Sequence, residues 1–268
     1  MKNNNKFRLD VWGAITLGTI ALYALFLLYP MAYLIRQSVL DPDTGSFTLA
    51  YFTKFFSKSY YFDTLINSFK VSITATVLSI AIGTPLAYLF TIFKIKGKSV
   101  LNILIVVASM SAPFIGAYSW ILPLGRSGII TTFFKNLGIA IPDNYGFGGI
   151  VLVMTLQLFP LVFLYAKGAL KNIDNSLIEA AENLGCSGIA CFFKVVVPLI
   201  MPTLLAAALL VFMRSFADFG TPMLIGEGYR TFPVVLYTEF INEVGGSDGF
   251  AAAIAVIAIV ITTLVFLV

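Results

Sequence analysis

Six long apolar runs set the pattern of the chain, at residues 11–35, 65–93, 100–122, 149–166, 195–219 and 250–268. Each holds close to the roughly 20 mostly apolar residues with which an α-helix crosses a hydrocarbon core. The polar stretches between them are unequal. Residues 41–63 and 123–148 are aromatic and rich in turn formers, and 220–249 mixes acidic residues with Gly226, Gly228, Gly245, Gly246 and Gly249. Residues 167–194 form the remaining long connection. The pattern predicts an all-α membrane protein with six spans.

Basic residues orient the spans. With the N-terminus inside, Lys2, Lys6, Arg8, Lys94, Lys96, Lys98, Lys167, Lys171 and Lys194 face the cytoplasm. Lys54, Lys58, Arg126, Lys135 and Arg230 then lie outside with Asp41, Asp43, Asp63, Asp143, Glu227, Glu239, Glu243 and Asp248. Basic residues favour one side, and the cluster at 94–98, in a very short loop, marks it most sharply. The N-terminus is expected in the cytoplasm. The apolar run that follows Arg8 is too long for a signal h-region and shows no small-residue cleavage site.

Composition narrows the class. Hydrophobic residues make up 59% of the chain and charged residues 11%, with mean hydropathy +0.94. A soluble domain of 268 residues could not hide so much apolar surface. The net charge of +4 sits in short loops, as membrane topology requires, so no nucleic-acid partner is expected. There is no histidine, which excludes a histidine metal centre or proton relay. Cys186 and Cys191 are spaced C-x4-C with no second ligand pair, and are read as free thiols. No metal and no cofactor is expected. The chain has no H-E-x-x-H, no paired intramembrane carboxylates and no G-x-x-x-x-G-K-[ST], so neither enzyme chemistry nor ATP hydrolysis by this chain itself is expected.

The connection before the fifth run carries the most local information. Over 175–203 it reads NSLIEAAENLGCSGIACFFKVVVPLIMPT. Ser176 and Glu179 have capping-box spacing, which predicts a short helix beginning near Leu177. Gly185 is placed to end it in a left-handed turn. Leu177, Ile178, Ala181 and Leu184 share one side at helical spacing, while Glu179, Glu182 and Asn183 are polar. Pro198 and Pro202 are expected to reset the chain direction before or within the first turns of the fifth span. Such an element can dock into a groove on a partner and pass motion to a spanning helix.

Here the chain resembles the cytoplasmic coupling loop of bacterial ABC importer permeases, the binding-protein-dependent MetI-like family. That pattern runs E-A-A, three residues, Gly, nine residues, then an I-x-L-P-like ending. Glu179, Ala180 and Ala181 are followed by Gly185, then by Val195, Val197 and Pro198 at matching intervals. Val195 and Val197 replace larger aliphatics and keep the positions apolar. The resemblance implies a coupling loop over 174–197 in which Glu179, Ala180, Ala181, Leu184, Gly185 and Pro198 receive ABC ATPase subunits. It also implies an external solute-binding protein, a second permease half, and a multi-pass location in the bacterial cytoplasmic membrane. Residues 214–239, RSFADFGTPMLIGEGYRTFPVVLYTE, look like ferric-iron importer permeases, with polyamine, thiamine and phosphonate relatives close by. Many ferric permeases fuse two halves, and the chain stops within an apolar run at Val268; residues 1–268 are therefore expected to be one half of a longer permease.

Arg214 and Asp218, four residues apart near the end of the fifth run, are expected to stack on one helix face and pair. Two readings stand for them: a position on the translocation route, or a snorkelling arginine whose partner fixes the helix end. Pro85, Pro113 and Pro160 lie within runs and suggest kinked helices. An ion-coupled secondary transporter is the rival reading, yet no Asp or Glu sits at mid-span, where such proteins usually place one.

Overall fold

The computed structural model describes residues 11–42, 44–93, 95–110, 113–139, 145–186, 188–241 and 248–267. Lys2, Lys6, Arg8, Asp43, Lys94, Asp143, Glu243 and Val268, all used in reading the topology, lie outside these. Five runs form helices long and apolar enough to span a membrane. They are α1 (Val11–Val39), α3 (Ser59–Ile92), α7 (Gly146–Lys171), α9 (Gly188–Ala217) and α12 (Asp248–Leu267). Among the described residues there is no strand, only an isolated bridge between Leu40 and Phe47.

The third run departs from expectation. It forms α4 (Lys98–Ser109) and α5 (Pro113–Leu124). The stretch Phe114–Asn136, which also contains α6 (Ile129–Asn136), is inclined by 114° to α4. Pro113 stands at the first position of α5, where a helix has no partner for a backbone N–H and a proline is readily placed. The run expected to form one straight span over 100–122 thus forms two helices inclined to each other.

Two other prolines are absorbed. The helix widens into a π turn over Ala24–Leu28, where the Tyr29 N–H donates to the Ala24 carbonyl, one residue before Pro30. It widens again over Phe192–Val196, where the Val197 N–H donates to the Phe192 carbonyl, one residue before Pro198. A widened turn makes room for a ring that a regular turn would meet, and the helix continues. Pro198 and Pro202 therefore do not redirect the chain as expected; α9 runs unbroken from Gly188 to Ala217.

The chain divides into two compact units, Met1–Lys58 with Leu236–Val268, and Ser59–Val235. In the first, α12 packs on the end of α1 and on α2 (Ala50–Ser57). Phe55 is fully buried, and the Lys54 ammonium lies 3.9 Å from the centroid of the Phe250 ring. Part of the aromatic stretch 41–63 is thus a helix with Phe55 on its covered side.

The second unit is built on α3 against α7, with α9 packed on both. The buried face of α3 is a row of small residues: Ser68, Ser72, Ala75, Ser79, Gly83 and Ala87. Lipid gives no hydrophobic drive between helices, so close backbone approach and van der Waals contact hold them together. At Gly83 the approach is closest. A Cβ there would lie 2.8 Å from the Phe159 carbonyl oxygen and 2.8 Å from Val162 Cβ. One core cluster joins Ala87, Phe90, Phe163, Leu170, Phe192 and Val196, with Ile95, Ile173 and Ile178 packed on its edge.

Of the polar 220–249 stretch, residues 220–241 and 248–249 are described, and Gly245 and Gly246 lie outside the described residues. It contains α10 (Gly220–Ile225) and α11 (Phe232–Ile241). The Phe232 N–H donates to Ser68 Oγ at 2.8 Å, and Asn67 Nδ2 to the Arg230 carbonyl at 3.1 Å, tying the segment to α3. Arg126 forms a two-point ion pair with Glu227 at 2.9 and 3.1 Å and lies over the Tyr145 ring.

Candidate coupling helix and membrane cavity

The helix α8 (Asn175–Asn183) begins with Asp174, not Ser176. The Ser176 N–H donates to Asp174 Oδ1 at 3.0 Å, and the Leu177 N–H to the Asp174 carbonyl at 3.1 Å. Asp174 therefore meets two of the free donors of the first turn, the task expected of the Ser176 side chain. These bonds, led by the Ser176 backbone N–H and then its side chain, hold the Asp174 carboxyl below its ordinary value of 3.8. The carboxylate's help to the helix is present above the ordinary value and is lost as pH falls through the lowered one. Asp174→Ala is expected to speed hydrogen exchange at the Ser176 and Leu177 amides at neutral pH, while Asp174→Asn protects them nearly as well. Exchange read by mass spectrometry would count against this cap if the alanine variant matched wild type.

At the other end Gly185 takes φ +85, as expected. The Cys186 N–H donates to the Ala181 carbonyl at 3.0 Å, the long bond of a Schellman turn. A Cβ at Gly185 would meet nothing within 4 Å, so a larger residue there is opposed by backbone conformation alone.

The helix is held by one side. Ile178 packs on the core cluster that includes Leu170 and Phe192. Glu179 and Ala180 are exposed, Ala181 is half-buried and Leu184 is 89% exposed. Ile189, in the first turn of α9, is 79% exposed. So Leu184 does not share the covered side with Ile178; it projects from the end of the helix. Pro198 lies farther along, exposed just past the π turn of α9. The basic residues Lys98, Lys167 and Lys171 lie near enough for their charges to interact, and Lys167 Nζ donates to Asn102 Oδ1.

Arg214 and Asp218 do not pair. Asp218 stands past the end of α9 at φ −71, ψ 119, off the helical path, so the four-residue spacing no longer stacks the two side chains. Its Oδ1 accepts from the Gly220 and Thr221 N–H groups at 2.9 and 3.4 Å, and Oδ2 from the Thr221 hydroxyl at 2.6 Å. It caps the short α10. Arg214 is exposed and has no ion-pair or hydrogen-bond partner among the described residues. Both nevertheless line one open cavity of about 540 Å3, together with Ser109, Phe114, Gln157 and Phe219. Phe114 and Phe219 meet edge to face at 5.6 Å between centroids on its wall.

The model of the family described as "Binding-protein-dependent transport system inner membrane component" matches residues 46–268, which include α8, both ends of its turn and the whole cavity. The chain belongs to this family. These are permeases of ABC transporters. The permease is 28% identical over 220 residues to a putative ferric transport system permease protein, FbpB 1, of Haemophilus influenzae, covering 81% of this chain and 34% of that one. It thus spans about a third of the length of that relative. It is 29% identical to the spermidine/putrescine transport system permease protein PotB of the same organism, covering 98% of this chain and 93% of that one. Its fold matches a chain of a bacterial alginate ABC transporter crystallised with an alginate pentasaccharide-bound periplasmic protein. The TM-score is 0.78 at 16% identity, over 96% of this chain and 91% of that chain.

In the permease, sequence reasoning missed Asp174 because the S-x-x-E spacing at Ser176 and Glu179 is the more familiar cap. It missed Gln157 and Ser109 as well. Gln157 was visible as an amide within an apolar run, but nothing in the sequence placed it on one cavity wall with Arg214.

Proposed function

We propose that this permease is the membrane-spanning part of an ATP-driven importer that moves a small solute handed over by an external binding protein. The N-terminus and α8 lie on the cytoplasmic side in this reading, with α8 as the seat for a separate ABC ATPase subunit and a second permease half completing the route. The observation that carries it is α8 itself. It is a capped, glycine-closed helix anchored through Ile178, with Glu179, Ala180 and Leu184 left open. Arg214 and Asp218 line the route at the cavity. Ferric iron is the solute favoured by the likeness to ferric transport permeases; polyamine, thiamine or phosphonate import would use the same machinery.

The test is attachment of the ATPase. Ala181→Asp puts a charge on a half-buried position of α8, and Gly185→Val places a β-branched residue at φ +85, which costs about 1 kcal/mol or more. Both are expected to leave membrane insertion intact, to reduce co-purification of the ATPase and to stop uptake driven by the binding protein. Normal retention and normal uptake in both would mean that α8 is not the seat.

A further inference from the structure

The cavity contains one formal positive charge and one formal negative charge, but the two are not equivalent. Asp218 directs both oxygens into the first turn of α10 and meets three donors there, so binding a cation would require it to abandon that cap. Arg214, also on the cavity wall, has no such commitment. A guanidinium within a spanning helix is costly unless it is paired or faces water, and here it faces the open volume. Around it stand Ser109 and Gln157, and the remaining wall is aromatic and aliphatic. Such walls focus the field of a single charge.

From this arrangement we propose that the cavity accepts a solute bearing negative charge, an oxyanion or a carboxylate chelate, with Arg214 as its electrostatic anchor. The proposal rests on the reading that the cavity lies on the solute's route. It sets a condition on that reading: a metal ion passing this point does so inside an anionic complex, and a polyamine is opposed.

The cavity's potential can be read without knowing the solute. In a full-length chain with Cys186→Ser and Cys191→Ala, Ser109→Cys supplies one thiol on the cavity wall. Its rates of reaction in membrane vesicles are compared for a neutral, an anionic and a cationic methanethiosulfonate, each relative to a free thiol in solution. The anionic reagent is expected to be favoured over the cationic one by about tenfold. Arg214→Lys keeps that preference, Arg214→Gln brings the ratio to near parity, and Asp218→Asn does not lower it. Citrate or inorganic phosphate at millimolar concentration slows labelling, whereas spermidine does not. If the neutral reagent reaches the thiol but neither an anionic preference nor protection by anions appears, the inference fails while the route stands. If the neutral reagent fails from both sides of the membrane, the route itself is wrong and the inference falls with it.

Discussion

If α8 seats an ABC ATPase as proposed, Leu184→Glu is expected to weaken that attachment strongly without altering the fold of the permease. At 89% exposure the leucine contributes almost no internal packing, and surface changes of that kind usually shift stability by within about 0.5 kcal/mol. An apolar side chain projecting from a fixed helix end has the character of an interface anchor, whose loss costs about 2 kcal/mol or more in binding. Glutamate adds the burden of carrying a charge into an apolar groove, so affinity should fall by more than about thirtyfold. Leu184→Ala should lie between wild type and Leu184→Glu. The measurement pairs the thermal midpoint of the purified permease with the dissociation constant for the ABC ATPase proposed to bind α8. An unchanged midpoint with unchanged affinity would remove Leu184 from the interface. A fallen midpoint would instead show that the leucine is structural.

Gly83→Leu is expected to prevent assembly of the permease core. The limit is set by backbone: the Phe159 carbonyl oxygen and the Phe163 nitrogen would lie 2.8 and 3.0 Å from the new Cβ before any further side-chain atom is placed. Backbone cannot swing aside as a flexible side chain can, so α3 and α7 must separate along the row that includes Ser79 and Ala87. Overpacking in a dense core costs about 1–3 kcal/mol per site, and parting two spanning helices also weakens the van der Waals attraction along the rest of the row. Gly83→Ala should show a smaller form of the same defect. Size-exclusion chromatography after heating in detergent reads both. A leucine variant that stays monodisperse to the wild-type temperature would mean the two helices can part here at little cost.

Much of this architecture was legible in the order of residues. Five of the six runs as spanning helices, the left-handed turn at Gly185 and a short amphipathic helix before the fifth span all follow from hydropathy and local backbone chemistry. What escaped depends on relations that periodicity does not encode. Pro113 stands at the start of a helix while Pro30 and Pro198 lie within continuing ones, and the three look alike in sequence. Arg214 and Asp218 have ideal pairing spacing, but the helix ends one residue before Asp218, and the carboxylate turns to a nearer set of donors. The small-residue row on α3 was visible as Ser, Ala and Gly at intervals of three and four, yet its partner could not be named before α7 was placed against it.

The widened turn before Pro198 has a mechanical consequence. Because it preserves the helix, Ile189 near one end and Arg214 near the other belong to a single rod of 30 residues, about 45 Å long. A rod pivoting at its middle by some 5° moves each tip by roughly 2 Å in opposite directions. The tilt needs no relay of side chains between the two places. A push at the Ile189 tip would then appear at the arginine with reversed sign, so inward displacement below opens space above. Had the proline cut the helix, a joint would have absorbed that stroke.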